Sequence, residues 1–383
     1  MKKYKIHPLI DEDKQKIARR YHNEHLLVNI ISSVVSIAIL LLIIRFQISQ
    51  KIFGIITDLI NLRIIQAFLY FIVFYSLYFL ISLPFGFISG YKIEHKYNFS
   101  TQTMKEWIKD ELKSFFIGLI LGLVVFEFLY FITYRSPRLW WLHLGLLMTI
   151  FSVILVNLLP VLILPLFYKT TQLPDGELKN KIKDICEKTG MKIEGVFTIN
   201  LSSKSKKANA FVSGLGNTKR ILLGDTLLSR YNEDEIIVTL CHELTHYQQH
   251  HIWYLIFWNS IITFLIFYLL YLIYPVVYAF AGFKDISDIS AFPVFILIFI
   301  LLSFLLKPIS SSISRFYEKK ADKGALALSK NPQAFIELMA KFCNQELAIA
   351  YPNPLVEFYT YSHPSVGKRI EFAERFPKEN NNA

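Results

Sequence analysis

Cysteine is scarce in this chain of 383 residues: Cys186, Cys241 and Cys343 form no CxxC or other metal-knuckle spacing. That excludes a thiolate zinc knuckle, and an odd, sparse set suits a reducing compartment. No internal repeat or low-complexity tract is present, which excludes solenoid architectures. A small-residue cleavage site is also missing after the apolar run that starts at Leu26. With its long polar lead-in, that run reads as a retained span and not as a secretory signal. Charged residues make up only 19%, yet the balance is basic, with a formal charge of +11. The basic residues lie mainly between apolar blocks and form no patch beside aromatic platforms, so nucleic acid is excluded as a partner.

Apolar residues dominate instead, at 53% hydrophobic and 15% aromatic with a mean hydropathy of +0.39, the composition of a membrane protein. A spanning helix needs about 20 mostly apolar residues. Six blocks qualify: His25–Ile48, Ile64–Tyr91, Phe115–Tyr134, Leu139–Tyr168, Ile252–Gly282 and Ala291–Leu306. A weakly apolar stretch, Lys51–Arg63, reads as interfacial or re-entrant and would make a seventh span if it crossed. Pro84 and the glycines near it predict a tilt or kink at the end of the second block.

Lysine and arginine crowd alternate loops. Lys14, Lys16, Arg19 and Arg20 precede the first block, and Lys92, Lys96, Lys105, Lys109 and Lys113 follow the second, whereas Arg135 and Arg138 are alone in the link after the third. Counted over six spans, this asymmetry puts both termini and the polar segment 169–251 in the cytoplasm. The Ile-, Lys-, Phe- and Asn-rich composition points to a bacterium, and so to its inner membrane.

Within 169–251, Gly176–Thr189 carries helical periodicity. Val196–Asn200, Ala208–Ser213 and Ile221–Leu223 read as strands, the last two joined in a hairpin through Gly214-Leu215-Gly216-Asn217. Asn232 with Glu235 three residues on forms a capping box, predicting a helix from Glu233 to about His251. On it lies His242-Glu243-Leu244-Thr245-His246, the most informative run in the chain. Imidazoles one turn apart leave the same helix face, where they can grip a zinc ion while Glu243 reaches a water on it. Chance alone produces this pattern in on the order of one chain in a hundred of this length.

A catalytic zinc takes three protein ligands. A third histidine six residues after His246 is ruled out by Ile252. Cys241 points about 100° away from His242 around a helix, and His250 and His251 read as interfacial residues where the helix meets the membrane. Glu318 and Asp322 are one turn apart in a later segment, the first able to bind zinc and the second to hydrogen-bond a ligand imidazole. The same pair serves equally well as plain solvation of a charged helix.

Further landmarks carry a resemblance. Ile93-Glu94-His95-Lys96-Tyr97-Asn98-Phe99-Ser100 follows a span, Asn209-Ala210-Phe211 precedes Lys219 to Leu228, and Ser314-Arg315 leads to Ala321-Asp322 and then to Tyr361-Ser362-His363-Pro364 with Arg369. In this order, with the histidine motif, they resemble the type-1 CAAX prenyl endopeptidases, integral-membrane zinc metalloproteases of the gluzincin kind. The resemblance implies Glu318 as third ligand to one Zn2+ per chain, Glu243 as general base and Asp322 as an acidic anchor or proton donor. It implies His363 as a group steadying the oxyanion, Asn209 and Ala210 as an edge strand for an extended substrate, and Arg369 as a structural or substrate-contacting cation. The expected fold is mainly α: a polytopic helical membrane protein whose central loop and C-terminal tail build a cytoplasmic α+β gluzincin-like domain. Residues 1–168 would hold the tail and four spans, 169–251 the first protease subdomain, 252–308 a membrane hairpin and 309–383 the second protease subdomain. The implied substrate is a peptide or membrane protein, lipid-modified in that family. A quality-control protease, or a scaffold or transporter with a structural zinc, are the competing readings.

Overall fold

The computed structural model describes residues 6–213, 219–283 and 285–380, so the hairpin turn expected at Gly214–Asn217 lies outside the described residues. Six helices among them are long and apolar enough to cross a membrane: Glu12–Arg45, Arg63–Lys96, Met104–Arg135, Trp140–Phe167, His251–Phe280 and Ile289–Ser329. Between the first two lies a separate short helix, Ile48–Leu59, over most of the weakly apolar stretch whose composition reads as interfacial or re-entrant. The second and fourth spans each widen into π-helical turns, Phe87–Ile93 and Leu159–Ile163, close after or around Pro84 and Pro160. Proline removes a backbone donor and crowds the preceding turn, and a widened turn relieves both.

The spans pack around an aromatic core that includes Tyr70, Phe126, Trp140, Tyr274 and Phe292. At one end of the bundle sits an α+β unit with a four-stranded mixed sheet, in the order β1 (Thr170–Gln172), β2 (Gly195–Ile199), β4 (Arg220–Gly224), β3 (Ala210–Ser213). β2 and β4 are parallel, and β3 is antiparallel to β4, as the hairpin reading required. β3 is therefore an edge strand, with β4 its only neighbour among the described residues. Ile182, Val196, Leu223, Leu240, Leu244 and Phe335 are among the side chains that join the sheet to the surrounding helices in a second core.

The helix Glu12–Arg45 belongs to both units. At about 1.5 Å per residue its 34 residues run far beyond the roughly 30 Å hydrocarbon layer. Its first turns dock onto the C-terminal part of the α+β unit. There the buried Gln15 donates to the Ala348 carbonyl (2.9 Å) and accepts from the Ala350 N–H (2.9 Å), and Ile10 enters the core of that unit. Sequence position alone assigns these residues to the membrane half; packing joins them to the other.

Candidate active site

The helix Glu233–Gln248 starts at the predicted capping box. The Glu235 N–H donates to Asn232 Oδ1 (2.9 Å) and the Asn232 N–H to Glu235 Oε2 (2.8 Å). Lys341 anchors the same carboxylate at 2.7 Å. Against this helix packs the 38-residue helix Phe292–Ser329, which leaves the membrane carrying Glu318 and Asp322. The crossing is close because Gly324 has no Cβ: one placed there would stand 2.3 Å from the Thr245 side chain.

Contact at that crossing brings together side chains 72 or more residues apart in sequence. Ligand atoms of His242, His246 and Glu318 all lie within 4.8 Å of one another. The Nε2 atoms of the two histidines are 3.2 Å apart, and they stand 3.2 and 3.5 Å from Glu318 oxygens. Two imidazoles and a carboxylate converging through their lone pairs are a zinc donor set in type and number, with room for a fourth ligand. Cys241 is fully buried away from them and acts as a packed apolar residue.

The outer nitrogens of the two imidazoles meet different surroundings. His242 Nδ1 lies 3.0 Å from Asp322 Oδ1, an ionic contact off the hydrogen-bond line, and Asp322 is itself clamped by Arg369 through Nε (2.9 Å) and a terminal nitrogen (2.6 Å). Burial opposes charge on His242, but Asp322 and Glu318 prevail and lift its pKa to about 9. Arg369 is mostly buried, and both hydrogen bonds its side chain makes among the described residues go to Asp322.

His246 Nδ1 instead faces His251 Nδ1 at 3.1 Å, and His251 Nε2 lies 3.1 Å from Gln249 Oε1. The sequence read His251 as an interfacial residue on a continuing helix. In fact the helix stops at Gln248. His250 adopts a left-handed conformation (φ 54°), and the chain restarts at His251 pointing inward, 1% exposed. A left-handed residue without glycine gives no composition signal, so nothing in the local sequence separates His251 from the exposed His250.

Glu243 is half-buried beside the donor set. Desolvation raises its pKa above the ordinary carboxylate value, while His242, His246 and His363 pull it down and Glu318 pushes it up. His363 arrives from the far end of the chain, with Nε2 3.1 Å from Glu318 Oε2. Its loop is braced by Arg315, which donates to the carbonyls of Glu357 (3.1 Å) and Tyr361 (2.5 Å), and by Glu357, which accepts from the Ser365 N–H (3.1 Å).

The edge strand lines a neighbouring cavity of about 450 Å³ that His246, Phe211, Val212, Leu159, Trp253 and Ile256 help to enclose. Because the Gly224 N–H donates to the Asn209 carbonyl (2.9 Å), alternation directs the backbone groups of Ala210 and Val212 to the open side. Asn209 Oδ1 accepts the Ala210 N–H at 2.9 Å, filling a position that an incoming strand could take. The loop before the strand is tied to the first two spans, which explains the landmark around Glu94. Glu94 accepts from Tyr21 (2.5 Å), lies 3.1 Å from His25 Nε2 and pairs with Lys207 (2.8 Å), while the Phe99 carbonyl accepts the Lys206 N–H (2.8 Å).

A buried His-His-Glu set on crossed helices, beneath a multi-pass bundle and beside an open strand edge, defines a membrane metallopeptidase. Sequence comparison agrees. The profile of peptidase family M48 matches residues 172–376, and that of the CAAX prenyl protease N-terminal region, described as five membrane helices, matches residues 4–169. The chain belongs to peptidase family M48 and is an integral-membrane zinc metalloprotease. Over 4–169 it has four helices of spanning length, with Ile48–Leu59 as the short fifth. It is 32% identical to the uncharacterized metalloprotease YhfN of Bacillus subtilis over 301 residues, 77% of this chain and 70% of that one. To CAAX prenyl protease 1 of Saccharomyces cerevisiae it is 29% identical over 395 aligned positions, 94% and 86% of the two chains. The crystal structure of Saccharomyces mikatae Ste24p superposes with a TM-score of 0.85 at 27% identity, covering 96% of this chain and 90% of that one.

Proposed function

We propose that the chain hydrolyses peptide bonds near the membrane surface with one zinc ion held by His242, His246 and Glu318, and with Glu243 as general base. The observation that carries this reading is the half-buried Glu243 carboxylate next to a three-member donor set, whose His246 lines the same cavity as the edge strand. A structural zinc site is usually closed by four ligands and has no use for an adjacent base. Bound there, the ion supplies Lewis acidity and lowers the pKa of water to about 7.

The residues of the chain then divide the remaining work. Glu243 takes the proton of the attacking water on its carboxylate and delivers it to the leaving amine. His363 donates a hydrogen bond to the oxyanion from Nε2, released from Glu318. Asp322 and Arg369 hold His242. A substrate segment pairs with Ala210 and Val212 as an added strand, displacing the Asn209 side chain from the Ala210 N–H.

By likeness to the CAAX prenyl proteases, the substrate is the C-terminal region of a lipid-modified or other membrane-bound protein. The lysine-rich loops put the site and both termini in the cytoplasm, and in a bacterium that makes the inner membrane the location. The edge strand contacts backbone, which is common to all peptides, and that favours a broader quality-control range as the second reading. Purified chain offered a farnesylated CAAX peptide and its unprenylated counterpart separates the two, since preference for the first supports CAAX processing and equal cleavage supports quality control. Glu243→Gln should retain zinc and lose cleavage; undiminished cleavage would remove Glu243 from the mechanism.

A further inference from the structure

We propose that His251 is a positioning residue of the metal site, accepting the Nδ1–H of His246 and resting on Gln249, so that the second imidazole is held in the tautomer and orientation that metal binding requires. The proposal rests on the zinc reading given above and adds a residue that this reading does not use.

The hydrogen positions follow by elimination. His246 Nε2 turns toward His242 Nε2 (3.2 Å) and Glu318 Oε1 (3.5 Å), so a metal there needs the Nε2 lone pair and the ring proton must be on Nδ1. That proton points at His251 Nδ1, 3.1 Å away, which must therefore offer a lone pair. The proton of His251 is then on Nε2, where Gln249 Oε1 accepts it at 3.1 Å. Each ring nitrogen of His246 and His251 then has one permitted role. Among the described residues, no carboxylate or lysine makes a hydrogen bond to either ring of this flank on its outer side.

Packing gives His251 little freedom to do anything else. It is 1% exposed, its ring lies 5.0 Å from that of Tyr317, and Tyr317 stacks in turn on Tyr254 at 5.7 Å. Tyr317 directly precedes Glu318, so one buried ring touches the second ligand and the neighbour of the third. The left-handed His250 makes this possible by turning the chain back at the start of the fifth span.

Outer partners of metal-bound histidines commonly alter metal affinity about 10- to 100-fold. The test is zinc affinity of the full-length chain in detergent, by chelator competition, in His251→Leu, His251→Asn and Gln249→Ala. Asparagine can place its Oδ1 where His251 has Nδ1, whereas leucine fills space without an acceptor. We expect His251→Leu to bind zinc about 10- to 100-fold more weakly, His251→Asn to stay near wild type, and the surface variant Gln249→Ala to weaken binding a few-fold. Wild-type affinity in His251→Leu, or equal losses in the Leu and Asn variants, would overturn the proposal. Should the Leu variant not fold, Gln249→Ala decides: weaker zinc binding supports the role and unchanged binding rejects it. A wild-type chain holding no zinc overturns the zinc reading itself, a result distinct from a zinc-binding chain indifferent to these substitutions.

Discussion

The two sides of the metal site solve one problem by different means. On the His242 side a charged acid is buried against a charged base, and the imidazole meets Asp322 through an ionic contact. On the His246 side the partners are neutral, and hydrogen-bond direction does the holding. The charged side gains strength but has a larger penalty when one member is lost, because the survivor is left buried and unpaired. A neutral chain is weaker and fails more gently.

Asp322→Asn should therefore produce the largest effect, leaving Arg369 without its counter-charge at a cost of about 3–5 kcal/mol. Thermal melting of the metal-free chain measures this. If Asp322→Asn costs no more than Gln249→Ala, the contrast between the sides disappears. Next in size comes Gly324→Val, which forces a side chain into Thr245 where the two site helices cross. Overpacking of that kind costs about 1–3 kcal/mol, and it should weaken zinc binding on both sides together, since Glu318 is carried by the displaced helix.

A smaller effect separates the sides by pH. With its folded pKa raised to about 9 from an ordinary 6.5, His242 gives the metal-free chain stability that is complete below about pH 6.5 and is lost as pH rises through 9. Melting temperature of chelated protein should fall over that window, and by less in Asp322→Asn. Zinc-loaded protein should show the opposite slope, because zinc binding needs the neutral imidazole. A flat profile in the chelated wild type would remove the charge from the His242 side. Smallest of all, Glu94→Gln should leave zinc content unchanged and raise KM a few-fold, since Glu94 steadies the loop before the edge strand and touches no ligand. A change in kcat alone would contradict that assignment.

How much of this was legible beforehand depends on the range of each interaction. The capping box, the motif helix, the hairpin strands and the spans come from residues within a few turns of one another, and the structure has them close to where the patterns put them, except that the motif helix ends at Gln248, short of His251. Glu318 and Asp322 were recognisable as a pair from their spacing, but spacing could not choose between ligand and solvated helix. The sequence places His251 at the membrane interface because helical continuation past Gln248 is the default for such a pattern, and only a backbone reversal at His250 turns its ring inward. Likewise, no local pattern tells that Ile10 and Gln15 pack with residues near position 350.

The sequence by itself determined the helices, the membrane character and the residue types able to hold and use a metal, because periodicity, capping and hydropathy are local. Tertiary structure alone decided which of these side chains meet. The closeness of Gly324 to Thr245, the clamp of Arg369 on Asp322 and the inward turn of His251 each depend on helices distant in sequence packing to within van der Waals contact, a condition set by the shape of the whole core.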